Sequence, residues 1–222
     1  MGRSPRYWRI STQRVATITS LASKGSNTVT LDTITGGFAK PTLKHSAANG
    51  HAALLFNGSN SLKTAANPEL LAQGQDATFV SVAKVTTGVS ARIFALGRTD
   101  STANYRSLNV NTASILFYNS ASSTVVSTAT QAFTAGAWWV TVCVNRGTAI
   151  EMHTSLATAA LTNTVSVSGK LEGFTLGSNS GASLRLTGEI ARQQVFTRAF
   201  STDEINAVID VMCNRYGITR VI

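Results

Sequence analysis

The dominant hydrophobic period along the chain is two. In Ala77–Thr86 (ATFVSVAKVT), Phe79, Ser81, Ala83 and Val85 fall on one face, and Thr78, Val80, Val82 and Lys84 on the other. Such alternation, carried by β-branched and aromatic residues, predicts a strand. Comparable runs are Ala52–Phe56, Arg92–Leu96, Tyr105–Val110, Ser114–Tyr118, Trp138–Val144, Ile150–His153, Thr164–Val167 and Phe174–Leu176. Arg185–Thr197 predicts a longer or bent strand with Gly188 near its start. Turn formers stand between the runs: Asn57-Gly58, Gly88, Gly97, Asn119-Ser120, Gly136, Gly147, Gly169 and Gly177-Ser178-Asn179. Many short strands at this spacing predict an all-β antiparallel sandwich. Ala22–Thr42, rich in Gly, Asn and Thr, predicts loop with short strands, and Val125 and Val126 predict a strand within the Ser-rich run Ser120–Thr130. Trp138 and Trp139 are adjacent, so a strand turns one ring inward and the other outward.

The period changes once, near the end. Ser201-Thr202-Asp203-Glu204 fits a capping box, with Ser201 as N-cap and Glu204 three residues on. Ile205, Val208, Ile209, Met212 and Tyr216 then recur on one helical face, and Gly217 supplies the stop. This predicts one α-helix over about 202–216 lying on the sandwich.

Composition narrows the class. Of 222 residues, 43% are hydrophobic, enough for a sizeable core, and only 13% are charged, which disfavours a helical bundle or a disordered chain. No apolar run is long enough to span a bilayer as a helix. The N-terminus, MGRSPRYWRISTQR, has no apolar region behind its basic flank, so no secretion signal is expected. Cys143 and Cys213 read as buried free thiols. The net charge of +9 is uneven: residues 1–68 hold eight basic groups and one acid, the rest eleven and nine. The expected organisation is a basic N-terminal arm over residues 1–15 and one sandwich domain over 16–222.

Three segments resemble laminin-G-like domains of the concanavalin A-like lectin/glucanase superfamily, in the single-domain form common in phage structural proteins. Ala48–Leu62 (ANGHAALLFNGSNSL) is similar to the family's strand-turn NGxPALxFDGxNDYL. Ala77–Lys84 matches an early core strand, and Gly136-Ala137-Trp138-Trp139 the lead-in to the strand GxWHHV. GEIARQQVFTRAFSTDEINAVIDVMCNRYGI, starting at Gly188, is similar to the C-terminal strand and helix, GxIAExxxYNRALSxxEIxAVxxYLxxKYGI. The resemblance covers about residues 15–218 and implies a jelly roll with a short C-terminal helix. The chain departs where oxygen ligands would sit: Asn57 and Ser61 replace acids of the pattern, and EMHTSLATA lacks its Asp-Gly. These are losses for a calcium site.

Enzymatic chemistry is not expected. A retaining glycosidase needs two close carboxyls. Asp203 and Glu204 are the only close acids, and capping explains them. His45, His51 and His153 are too scattered to predict a metal site, and no cofactor motif is present. Asn104, Tyr105, Asn109, Tyr118 and Asn119 lie in one stretch and are the candidate glycan-binding residues, as aromatic platforms with amide partners. Arg3, Arg6, Tyr7, Trp8, Arg9 and Arg14 form the candidate partner-binding arm. Their open spacing carries no nucleic-acid recognition motif, so an acidic protein surface is the expected partner. The leading expectation is a non-enzymatic virion protein, assembled in the host cytoplasm as a homo-oligomer. It would decorate a capsid or join a tail by docking on other virion proteins through the arm. The alternative is a carbohydrate-binding or adhesion module that takes a host surface glycan.

Overall fold

The computed structural model describes residues 6–8, 20–24, 30–33, 39–64, 69–71, 74–86, 90–97, 105–112, 114–121, 124–147, 149–164, 171–178 and 184–222. In chain order the strands begin with β1 (Arg6–Trp8), β2 (Ser20–Lys24), β3 (Thr30–Thr33), β4 (Thr42–Ala48), β5 (His51–Asn57) and β6 (Leu62–Thr64). Next come β7 (Glu69–Leu71), β8 (Ala77–Val85), β9 (Ala91–Gly97), β10 (Tyr105–Asn111), β11 (Ser114–Ala121) and β12 (Thr124–Ala132). The last are β13 (Trp138–Arg146), β14 (Ala149–Thr154), β15 (Leu161–Thr164), β16 (Leu171–Glu172), β17 (Phe174–Leu176) and β18 (Thr187–Phe196). The helix α1 (Thr202–Tyr216) follows.

The fold is an all-β two-sheet antiparallel sandwich with one C-terminal helix. The first sheet runs β4-β5-β18-β8-β13-β14-β15, and the second β12-β11-β10-β9-β17-β6-β3-β2. β1 joins them by pairing β18 on one side and β2 on the other. β18 shares one edge between two partners: β5 takes Thr187–Ile190 and β1 takes Gln193–Val195. The ladder shifts register between Ile190 and Arg192, separating the two halves. The bent strand predicted at Arg185–Thr197 is therefore β18, a bulged strand serving two neighbours. Strand β15 (Leu161–Thr164) ends where the strand expected at Thr164–Val167 begins, and the rest of that expected strand lies outside the described residues.

Alternation builds two cores from the same strands. Phe79, Ala83 and Val85 of β8 and Trp139 and Cys143 of β13 face the second sheet, where they meet Phe94, Leu108, Phe117 and Phe174. Phe79 packs on Phe94 at 5.2 Å and on Phe117 at 5.9 Å between ring centroids. Val80 and Val82 of β8 and Val140, Val142 and Val144 of β13 face outward, under Ile205, Ile209, Met212 and Tyr216 of α1. Buried on both faces, these two strands read as near-continuous apolar runs. Burial pushes the Cys143 thiol pKa well up, and that of Cys213 up.

The helix begins and ends as its residues dictate. Ser201 Oγ accepts the Glu204 N–H at 3.3 Å, and Glu204 accepts the Ser201 N–H at 2.9 Å. Gly217 adopts the left-handed conformation (φ 65°) and donates its N–H to the Cys213 carbonyl. The β4–β5 turn meets this end: Asn49 donates its amide to the Arg215 carbonyl at 3.1 Å, and the His51 ring stands edge-on to Tyr216 at 5.3 Å.

Candidate functional site

The helix covers the outer face of the first sheet only in part. One cross-strand row is set by register: Trp138 pairs Lys84, Lys84 pairs Glu189, and Glu189 pairs Leu55; Trp138 packs in part against the apolar cluster under the helix. Trp139 is fully buried in the inner core, so the outward ring of the Trp-Trp pair is Trp138, half-buried at the end of β13. The Lys84 ammonium lies over that ring, 5.2 Å from its centroid.

Glu189 organises the row. Its Oε1 accepts from Lys84 Nζ at 2.7 Å and from Lys44 Nζ at 3.1 Å, while Oε2 is buried without a partner among the described residues. Burial by itself raises a carboxyl pKa, but the two lysine bonds prevail and hold Glu189 below its ordinary value. Each ammonium has three donors, so Lys44 and Lys84 keep donors beyond the one given to Glu189. The row therefore combines an aromatic face, a carboxylate and two cations, with one positive charge in excess. The sequence places Lys84 on the outward face, but the residues that meet it come from β13 and β18. That cross-strand pairing is not written in any local pattern.

The glycan candidates divide along β10 and β11. Tyr105 and Asn109 alternate with core residues of β10, and Tyr118 stands opposite Ser107 between them. Asn119 stands opposite Arg106, a residue of the other phase, and Asn104 lies outside the described residues. Asn109 is only 9% exposed and Ser107 fully buried, and neither Asn109 Oδ1 nor Ser107 Oγ has a partner among the described residues. Of the arm candidates, Arg3, Arg9 and Arg14 lie outside the described residues. Arg6, Tyr7 and Trp8 form β1, in register with Val195, Gln194 and Gln193.

Among the described residues, no group of three His, Cys, Asp or Glu side chains comes together as a metal site. His153 Nε2 meets Glu151 Oε2 at 3.2 Å, and Arg146 Nε bonds Glu151 Oε1 at 2.7 Å. Burial opposes ionisation of Glu151, but the Arg146 and His153 bonds keep its pKa below the ordinary value. Arg146 also donates to the Phe200 carbonyl, which ties this group to the start of α1. No helix among the described residues is long and apolar enough to cross a membrane.

No protein-family model and no curated protein matches the sequence. Solved structures match the fold. Domain 4 of an extracellular arabinanase from Geobacillus stearothermophilus, solved with arabinotriose, matches with TM-score 0.57 at 14% identity, over 78% of this chain and 82% of that one. The binding domain of botulinum neurotoxin serotype C1 matches with TM-score 0.69 at 7% identity, over 95% of this chain and 52% of that one. A botulinum neurotoxin type C structure matches with TM-score 0.65 at 9% identity, over 89% of this chain and 51% of that one. The chain thus spans about half the length of the toxin domains it matches. At these identities the likeness establishes the architecture alone, a two-sheet antiparallel β-sandwich.

Proposed function

We propose that this chain is a non-enzymatic binding module that holds a glycan against Trp138, on the outer face of its first sheet. The observation that carries the reading is the half-buried Trp138 ring with the Lys84 ammonium over it, Lys84 in turn bonded to Glu189 and Glu189 to Lys44. A sugar offers an apolar C–H face to an aromatic ring and hydroxyls to charged hydrogen-bonding groups, and this row supplies both. The row is favoured over the β10–β11 face because Ser107 and Asn109 there are buried, whereas Lys44 is 46% exposed at its side chain. The neighbours support a binding role: the arabinanase domain was solved with arabinotriose, and cell entry of botulinum neurotoxin type C depends on ganglioside molecules. The laminin-G-like motifs agree with it, and the absence of a strand-spaced acid cluster in the sequence supports a module without hydrolytic chemistry.

A glycan array tests the reading. Saturable binding of the wild-type chain to one glycan class, lost in a folded Trp138→Ala variant, is the expected result. An array without a hit, or release of sugar from any hit, contradicts it.

The N-terminal charge favours a second reading, assembly into a virion through residues 1–15. Substituting Arg3, Arg9 and Arg14 by Gln leaves β1 in place and should then abolish particle binding. Unchanged incorporation removes that reading.

A further inference from the structure

Arg106 is the one lysine or arginine among the described residues that is buried, at 3% exposure. It alternates along β10 with Leu108 and Val110, both in the core between the sheets, and pairs across to Leu96 of β9. Its Nε donates to Asn145 Oδ1 of the first sheet at 3.4 Å, a long bond. Its Nη1 is buried without a partner among the described residues. Among the described residues, four acids are held in ion pairs of their own: Glu151 with Arg146 and His153, Glu189 with the lysines, Glu204 with Arg198, and Asp210 with Arg220. Asp76 accepts the Gly147 N–H. Burial lowers the Arg106 pKa to about 10, which leaves the group charged at neutral pH.

A buried cation without a counter-charge is costly, and a charge-assisted partner removes much of that cost. The guanidinium fork matches the two oxygens of a carboxylate, sulfate or phosphate. Arg106 is the second residue of β10 and Asn145 the penultimate residue of β13, so both stand at one end of the sandwich, where Asn145 also donates its amide to the Gln75 carbonyl at 3.4 Å. We propose that Arg106, with Asn145 holding its Nε side, forms an oxyanion-binding site at this end of the sandwich. It is separate from the Trp138 row and does not depend on that reading.

Sulfate, glucuronate and neutral glucose, each added at constant ionic strength, distinguish the sources of the oxyanion by calorimetric titration and thermal melting. Saturable binding of sulfate alone identifies a free inorganic ion; binding of glucuronate as well identifies an acidic sugar. Either supports the site if it disappears in Arg106→Met and weakens about tenfold in Arg106→Lys, which keeps the charge and loses the fork. Trp138→Ala should leave it unchanged. No saturable response to either oxyanion overturns the site. So does an equal response in Arg106→Met, because sulfate stabilises most proteins by exclusion alone. If Arg106→Met does not melt cooperatively, Arg106→Lys decides, and wild-type affinity there also overturns it.

Discussion

Lys84 Nζ lies 2.7 Å from Glu189 Oε1, and the two are direct cross-strand partners on β8 and β18. Glu189 is 4% exposed overall, so its carboxylate is held by ammonium groups rather than by water. Glu189→Gln removes the charge that both lysines face and should destabilise the chain by about 1–3 kcal/mol at pH 7. Because the folded-state pKa is depressed, the carboxylate's contribution is complete above its unfolded value, about 4.3. It is lost as pH falls through the depressed folded value. The stability gap between wild type and Glu189→Gln, measured by urea denaturation, should therefore shrink from pH 7 to pH 3.

Gly188 precedes that carboxylate and has no room for a side chain. A Cβ there would stand 2.2 Å from the Lys84 carbonyl oxygen and 3.0 Å from Val85 Cα. Gly188→Ala should push β18 off β8 and cost about 1–3 kcal/mol, read as a lower urea midpoint. It should also weaken ligand binding at Trp138, since Lys84 moves with the strand.

The capping box at Ser201 makes an independent prediction. Ser201→Ala should cost about 1 kcal/mol, seen as a lower thermal midpoint with glycan affinity unchanged. Bonds from Arg198 and the Ser201 N–H hold the Glu204 pKa down to about 2. Its help to the helix is complete above about pH 4.3 and fades as pH drops toward 2.

Phe79 joins the sheets by packing on Phe94 and Phe117. Phe79→Ala should cost about 3–5 kcal/mol, measured by chemical denaturation. A loss below about 1 kcal/mol would mean that the inner core is not organised around this ring.

Local pattern carried most of the fold. The two-residue period of Ala77–Val85 assigned each apolar side chain of β8 to the correct core, and Ser201–Glu204 fixed the start of α1. What pattern could not carry is register between distant segments. Glu189 meets Lys44 from a strand 145 positions away in sequence, and nothing local marks the pair. Arg106 was legible in part: it shares the phase of Leu108 and Val110, so alternation turned a cation inward. Arg6–Trp8 reads as arm by charge, and its pairing with Gln193–Val195, on the stretch of β18 beyond the part taken by β5, is a long-range contact that no local pattern marks.

The Trp138 surface is tested most directly by equilibrium titration of the strongest array glycan against wild type, Trp138→Ala and Tyr105→Ala. Loss of one aromatic platform should weaken binding by about 1–3 kcal/mol, roughly tenfold to a hundredfold, in Trp138→Ala, with Tyr105→Ala unchanged. Full affinity in a folded Trp138→Ala variant, with loss in Tyr105→Ala, would contradict the assignment and move the site to β10 and β11.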